Sequence, residues 1–210
     1  MKNLERKVKY WINKLGIYEE EKEYINTLLK KLKKHHEPTY RHCLRVGILC
    51  AKASSYFSYD EKIMFVSGLL HDIGKLEIES QILRKKHIDE EDFIKIEEHP
   101  VKGYEMLKEK FEIPAEIILR HHTYGNGRKR HYPKNIPKNE EINEETYKKI
   151  NEYSKLLSII DFYDAGHRRT DAFKNKVDKF SNTELKNLLL EIFNEDREIV
   201  EKLYQKKVFV

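Results

Sequence analysis

Glycine and proline are scarce in this chain, with eight and five among 210 residues. So few turn-formers exclude a many-stranded sheet with its tight reversals and point to long helices. Cysteine is scarcer still: Cys43 and Cys50 are the only two. Read on one helix, they stand about two turns apart, too far for a disulfide. They are expected to be small core residues in a reducing compartment. No apolar run is long enough to span a membrane, and the N-terminal MKNLERKVKYWINKLG lacks the apolar stretch of a signal peptide. The expectation is a cytoplasmic protein with no membrane partner.

What the chain has in quantity is charge. Charged residues make up 37% and hydrophobic ones 39%, with 11% aromatic, which excludes a disordered polymer and suits helices with solvated outer faces. The net charge is +5, a modest excess that fits a small anionic substrate. Basic residues are interleaved with acids and form no nucleic-acid motif, so nucleic acid is not an expected partner. The oligomeric state is open, a homodimer included.

Apolar periodicity predicts helices over about 4–15, with Gly16 as a C-cap, and over about 19–34. A third starts near Pro38 and runs to about 54; a fourth, capped by Asp60, carries the apolar stretch 65–70 into His71-Asp72. Shorter helices follow over 89–98, 100–111 and 114–121, with Pro100 breaking the first from the second. Residues 123–143 have Gly125, Gly127, Pro133 and Pro137 but no apolar period, and read as a long loop. Helix resumes over 144–166, and the Ser181-x-x-Glu184 capping box opens a last helix over 182–206. The predicted class is all-α: a single helical bundle over 35–210 with an N-terminal helical extension over 1–34.

His42, His71, His99, His121 and His122 fall at helix ends or on inner faces, in a region that also supplies Asp72 and Asp161. Imidazole plus carboxylate, with no thiolate expected nearby, is a donor set for Mn, Fe, Co or Zn. Adjacent ligands cannot both project from one point of a regular helix, but at a helix end they diverge. Asp72 lies between apolar stretches, so it is expected near the core, where a carboxylate needs a cation.

The segment Gly68-Leu-Leu-His71-Asp72-Ile-Gly-Lys75 resembles the signature of the HD superfamily of metal-dependent phosphohydrolases. Ile82-Leu-Arg-Lys85, Glu97-x-His99-Pro100-x-x-Gly103-Tyr104-x-x-Leu107, His121-His122, Tyr132-Pro133 and Asp161-x-x-Asp164-Ala165 follow the order of its HD-GYP subgroup, over about 36–175. The resemblance implies an HD-domain bundle and a binuclear centre. In it, His42, His71, Asp72 and Asp161 hold a first divalent ion and His99, His121 and His122 a second, with Asp72 bridging. Fe or Mn leads, with Zn, Co or Ni as alternatives. Lys75 matches the lysine placed near the substrate phosphate. Asp72 and Lys75 are thus the expected catalytic residues.

Two departures qualify the resemblance. Pro38 stands where members with a third metal carry glutamate, which favours two ions. The subgroup's glutamate after the histidine pair is Thr123 here, and its Gly-Tyr-Pro is His131-Tyr132-Pro133, displaced by two residues and enriched in Arg128, Lys129 and Arg130. Six Arg or Lys and no acid occur from Arg120 to Lys138, a candidate basic rim. Lys75, Arg128, Arg130 and Tyr132 are the expected substrate-binding residues. Asp164, three residues after Asp161, is a candidate for orienting Asp161 or a histidine. The implied activity is a phosphodiesterase that hydrolyses a cyclic dinucleotide, cyclic di-GMP or a relative, with a metal-bridging hydroxide. The alternatives are a nucleotide or dinucleoside polyphosphate phosphohydrolase and a silent nucleotide sensor.

Overall fold

The computed structural model describes residues 2–136, 139–168 and 180–209. Among them there is no strand; the chain is an all-α bundle, as its composition predicts. The helices are α1 (Lys2–Lys14), α2 (Glu19–His35), α3 (Glu37–Phe57), α4 (Glu61–Leu70), α5 (Ser80–Leu83), α6 (Glu90–Ile96), α7 (His99–Leu107), α8 (Glu112–Arg120), α9 (Glu144–Arg168), α10 (Asn182–Ile192) and α11 (Arg197–Gln205). No described helix is long and apolar enough to cross a membrane.

Their ends follow local chemistry. Gly16 takes φ 58 just beyond α1, and the Ile17 N–H returns to the Ile12 carbonyl at 3.2 Å. Asp60 caps α4 by accepting from the Ile63 N–H at 2.9 Å, and the Ser181–Glu184 capping box opens α10. Pro38 sits in the first turn of α3, where its missing N–H costs nothing.

The buried centre is formed by α3, α4, α8 and α9. On α4 every residue from Met64 to Leu70 is buried. α3 and α4 close on each other where Gly47 meets Gly68; a Cβ on Gly68 would stand 2.8 Å from the Gly47 Cα. Helices α1 and α2 add Val8, Ile12, Ile25, Leu28, Leu29 and Leu32 to the same core.

One element differs from expectation. The helix predicted over 182–206 is two, α10 and α11, separated by a 3-10 turn at Asn194–Asp196. No residue there is a helix breaker. Phe193 leaves helical geometry (φ −106, ψ 49) to bury its ring 5.9 Å from that of Phe162, and the Gly127 N–H bonds the Ile192 carbonyl at 3.0 Å. Tertiary packing thus overrides an unbroken apolar period.

Candidate metal centre

Helix ends position most of the site. α4 stops at Leu70; His71 caps it with φ −55, and Asp72 leaves the helix at φ −99, ψ 10 before a 3-10 turn over Ile73–Glu77. The adjacent side chains therefore diverge. His99 opens α7, Pro100 having ended what precedes it, and His121 and His122 follow α8. Only His42, on α3, and Asp161, on α9, come from helix interiors. All seven are buried and lie in one cluster.

Two histidines and a carboxylate converge in its first half. His42 Nε2 is 2.9 Å from Asp161 Oδ1 and 3.2 Å from His71 Nε2, and His71 Nε2 is 3.5 Å from the same Asp161 oxygen. The rings' other nitrogens are committed as donors: His71 Nδ1 to the Gly68 carbonyl (2.9 Å) and His42 Nδ1 to Asp164 Oδ2 (2.7 Å). In neutral rings both Nε2 atoms then carry lone pairs, aimed at each other and at an anion. That arrangement needs a cation between them, a proton at the least.

The second half repeats the device. His99 Nδ1 donates to the Ile96 carbonyl at 2.7 Å and His121 Nδ1 to the Ile118 carbonyl at 2.5 Å, each three residues back. Nε2 of His99 and of His121 is buried with no hydrogen-bond partner, although His99 Nε2 lies 3.2 Å from Asp72 Oδ1 without the alignment of a bond. Orphaned, unprotonated Nε2 atoms in a dry site are what metal ligation requires. Ligand atoms of His99, His121 and His122, and separately of His42, His71 and Asp161, all lie within 4.8 Å of one another. These residues fit divalent metal binding.

Asp72 joins the halves. Its Oδ2 accepts from Lys75 Nζ at 2.7 Å and stands 3.6 Å from His71 Nε2, while its Oδ1 faces His99. Burial opposes its charge, but the charges on Lys75 and His71 outweigh that and hold the carboxyl well below the usual range. Burial likewise opposes the charge on Asp161, and hydrogen bonds from His42 and His71 lower it. For His99, His121 and His122 burial dominates and pushes the rings down, His121 to about 4, so that they are neutral at pH 7. His71 is raised: its own burial is outweighed by Asp72, Cys43 and Asp161.

A family model for the HD domain matches residues 39–166. The chain belongs to the HD domain family. This HD domain is similar in fold to two solved structures of the HD domain of the phosphodiesterase PgpH from L. monocytogenes. One superposes with TM-score 0.54 and 18% identity, covering 86% of this chain and 92% of that one. The other, solved in complex with cyclic-di-AMP, gives 0.52 and 20%, covering 88% and 85%. No curated protein was found to match the chain.

A cysteine sulfur stands beside the ligands where none was expected: Cys43, Asp72 and His71 also bring ligand atoms within 4.8 Å of one another. Cys43 follows His42 on α3, and the packing of α3 against α4 delivers both neighbours to His71. Sequence reading also missed Arg45. It grips Asp164 with Nε–Oδ1 at 2.8 Å and Nη2–Oδ2 at 2.8 Å, while Asp164 orients His42. The signal was there: 42/45 and 161/164 share an i, i+3 spacing that stacks the two pairs a turn apart on facing helices.

The basic rim is largely absent. Arg120 is buried in an ion pair with Glu116 and bonds the Tyr147 hydroxyl at 2.9 Å. Arg130 is paired with Glu97 (2.9 Å) and Glu90. Arg128 turns inward onto His122 and Ser158. Lys129 and Lys134 are exposed, and Lys138 lies outside the described residues. Of the residues expected to touch substrate, Lys75, Arg128 and Tyr132 lie against the cluster, the Tyr132 ring 4.4 Å from that of His122, while Arg130 is held by Glu97 and Glu90.

Proposed function

We propose that this HD domain is a metal-dependent phosphodiesterase acting on a cyclic dinucleotide. It uses two divalent ions, one held by His42, His71, Asp72 and Asp161, the other by His99, His121 and His122, with Asp72 shared. The observation that carries this reading is the splay of Asp72, whose two oxygens address separate imidazole groups 3.6 and 3.2 Å away. A carboxylate so placed is suited to bridge. The N/O donors suit Fe or Mn, with Zn, Co and Ni acceptable.

Ions bound there would supply Lewis acidity toward phosphoryl oxygens and a nucleophile for in-line displacement. The chain's own part is positioning and charge. Lys75 Nζ, pinned beside Asp72, provides a point charge for a non-bridging phosphate oxygen. Buried walls exclude bulk water and strengthen each of these interactions. Tyr132 lies over His122 and offers an aromatic face at the edge of the cluster. The PgpH complex makes cyclic-di-AMP the first substrate to try; the HD-GYP-like order of motifs keeps cyclic di-GMP beside it.

The test is hydrolysis of a panel: both cyclic dinucleotides, mononucleotides and a dinucleoside polyphosphate, with Mn or Fe. Cyclic dinucleotide turnover, abolished together with metal content in Asp72→Ala, is the expected result. Turnover of mononucleotides alone would move the chain to the wider nucleotide phosphohydrolases, and tight binding without turnover would make it a sensor. Unaltered metal content in Asp72→Ala would remove the site assignment itself.

A further inference from the structure

His122 differs from the other four clustered histidines. In His42, His71, His99 and His121 the Nδ1 nitrogen faces an acceptor, so it is the donor and Nε2 is free to ligate. His122 Nδ1 instead faces Arg128 Nη1 at 3.2 Å. A guanidinium only donates, so His122 Nδ1 accepts, and the neutral ring carries its proton on Nε2. A metal needs an unprotonated nitrogen. Here Nδ1 is covered by Arg128 and Nε2 is protonated, so neither is available while the contact stands.

Arg128 is not a passing surface side chain. Its Nη2 donates to the Ser158 carbonyl and hydroxyl, both at 3.1 Å, and its guanidinium lies 5.2 Å from the Phe162 ring and 5.3 Å from the Phe193 ring. Its Nε is buried with no partner. Its hydrogen bonds go to the His122 ring and to the Ser158 carbonyl and hydroxyl, none of them an anion. The cation is thus held in place by packing and neutral acceptors beside three imidazoles, where a divalent ion would repel it.

We propose that Arg128 sets the occupancy of the second ion: its guanidinium competes with the metal for His122, so this ion binds weakly and only when the Arg128–His122 contact opens. The inference rests on reading His99, His121 and His122 as ligands, and it makes the loop after His122, where this chain departs from the HD-GYP pattern, a control on metal loading.

Calorimetric titration of Mn2+ into the chelator-stripped full chain tests it. Wild type is expected to show one tight and one weak ion; in Arg128→Met, which keeps an apolar chain against the Phe162 and Phe193 rings without donors, the weak ion tightens about tenfold or more while the tight one is unchanged. Two ions with unchanged affinities in a folded Arg128→Met protein overturn the inference alone. No second ion in either protein overturns the reading of the three histidines and the inference with it. Imidazole 15N shifts of the metal-free wild type need no variant. His122 is expected as the Nε2–H tautomer, with His99 and His121 as Nδ1–H; an Nδ1–H tautomer at His122 overturns the proposal.

Discussion

Gly74→Ala is predicted to damage both the fold and the second half of the cluster. A Cβ on Gly74 would stand 2.0 Å from the His99 carbonyl oxygen, 2.5 Å from the Gly103 nitrogen and 2.9 Å from the His99 carbonyl carbon. All three are backbone atoms, so no rotamer change relieves the overlap. α7 must retreat by about 1 Å or more to reach an ordinary contact, within an interior packed as densely as a crystal. Overpacking typically costs 1–3 kcal/mol, and a backbone-only clash belongs at about 3 kcal/mol or above. For a chain of this size that lowers the melting temperature by roughly 6–12 °C. The retreat also carries His99 away from Asp72 Oδ1, now 3.2 Å from its Nε2. Thermal unfolding with chelator, paired with elemental analysis of the metal-loaded protein, reads both effects. A variant melting within about 1 °C of wild type, with its ion content intact, would refute the claim that this glycine is required by the approach of α7.

Removing the Asp164 carboxylate should weaken the first ion by about 10–100-fold, because His42 loses the acceptor that fixes its tautomer. Competition with a chromophoric chelator measures this for Asp164→Ala; an affinity within about twofold of wild type would show that the contact to His42 does not matter to the metal. Lys75→Ala should keep its ions and lose turnover by about a hundredfold, as for one charge-stabilising donor; an equal fall in metal content would make Lys75 structural. The metal-free protein should lose stability in mild acid through His121. Its ring, held to about 4 by burial and by the charge on His71, stays neutral in the fold while the unfolded ring takes a proton near 6.5. The contribution is therefore present above pH 6.5 and is lost as the pH falls toward 4, about 2 kcal/mol of it between pH 7 and pH 5. His71, raised in the fold, acts in the opposite direction, so the diagnostic is the difference: urea denaturation of His121→Ala should lose about 2 kcal/mol less over that interval than wild type. Equal losses would contradict the burial argument.

Much of the molecule was legible in one dimension. Few glycines and prolines, apolar residues at helical spacing and caps such as Asp60 and Ser181 depend on neighbours a turn away, so they announce the all-α class and most helix limits without reference to the fold. His71-Asp72 after an apolar stretch was legible for the same reason: a buried carboxylate demands a cation wherever the rest of the chain goes. Other features depend on what arrives from elsewhere. The break at Phe193 exists because Phe162 and Gly127 are there to meet it. Cys43 becomes a neighbour of His71 only because α3 and α4 pack at Gly47 and Gly68. Arg120, Arg128 and Arg130 are identical in kind along the sequence, and three different partners, Glu116, His122 with Ser158, and Glu97 with Glu90, take them out of a common rim. Residue type and local period set which elements form and which groups require compensation; the tertiary structure decides which partner supplies it, because partners distant in the chain meet only after the core has closed.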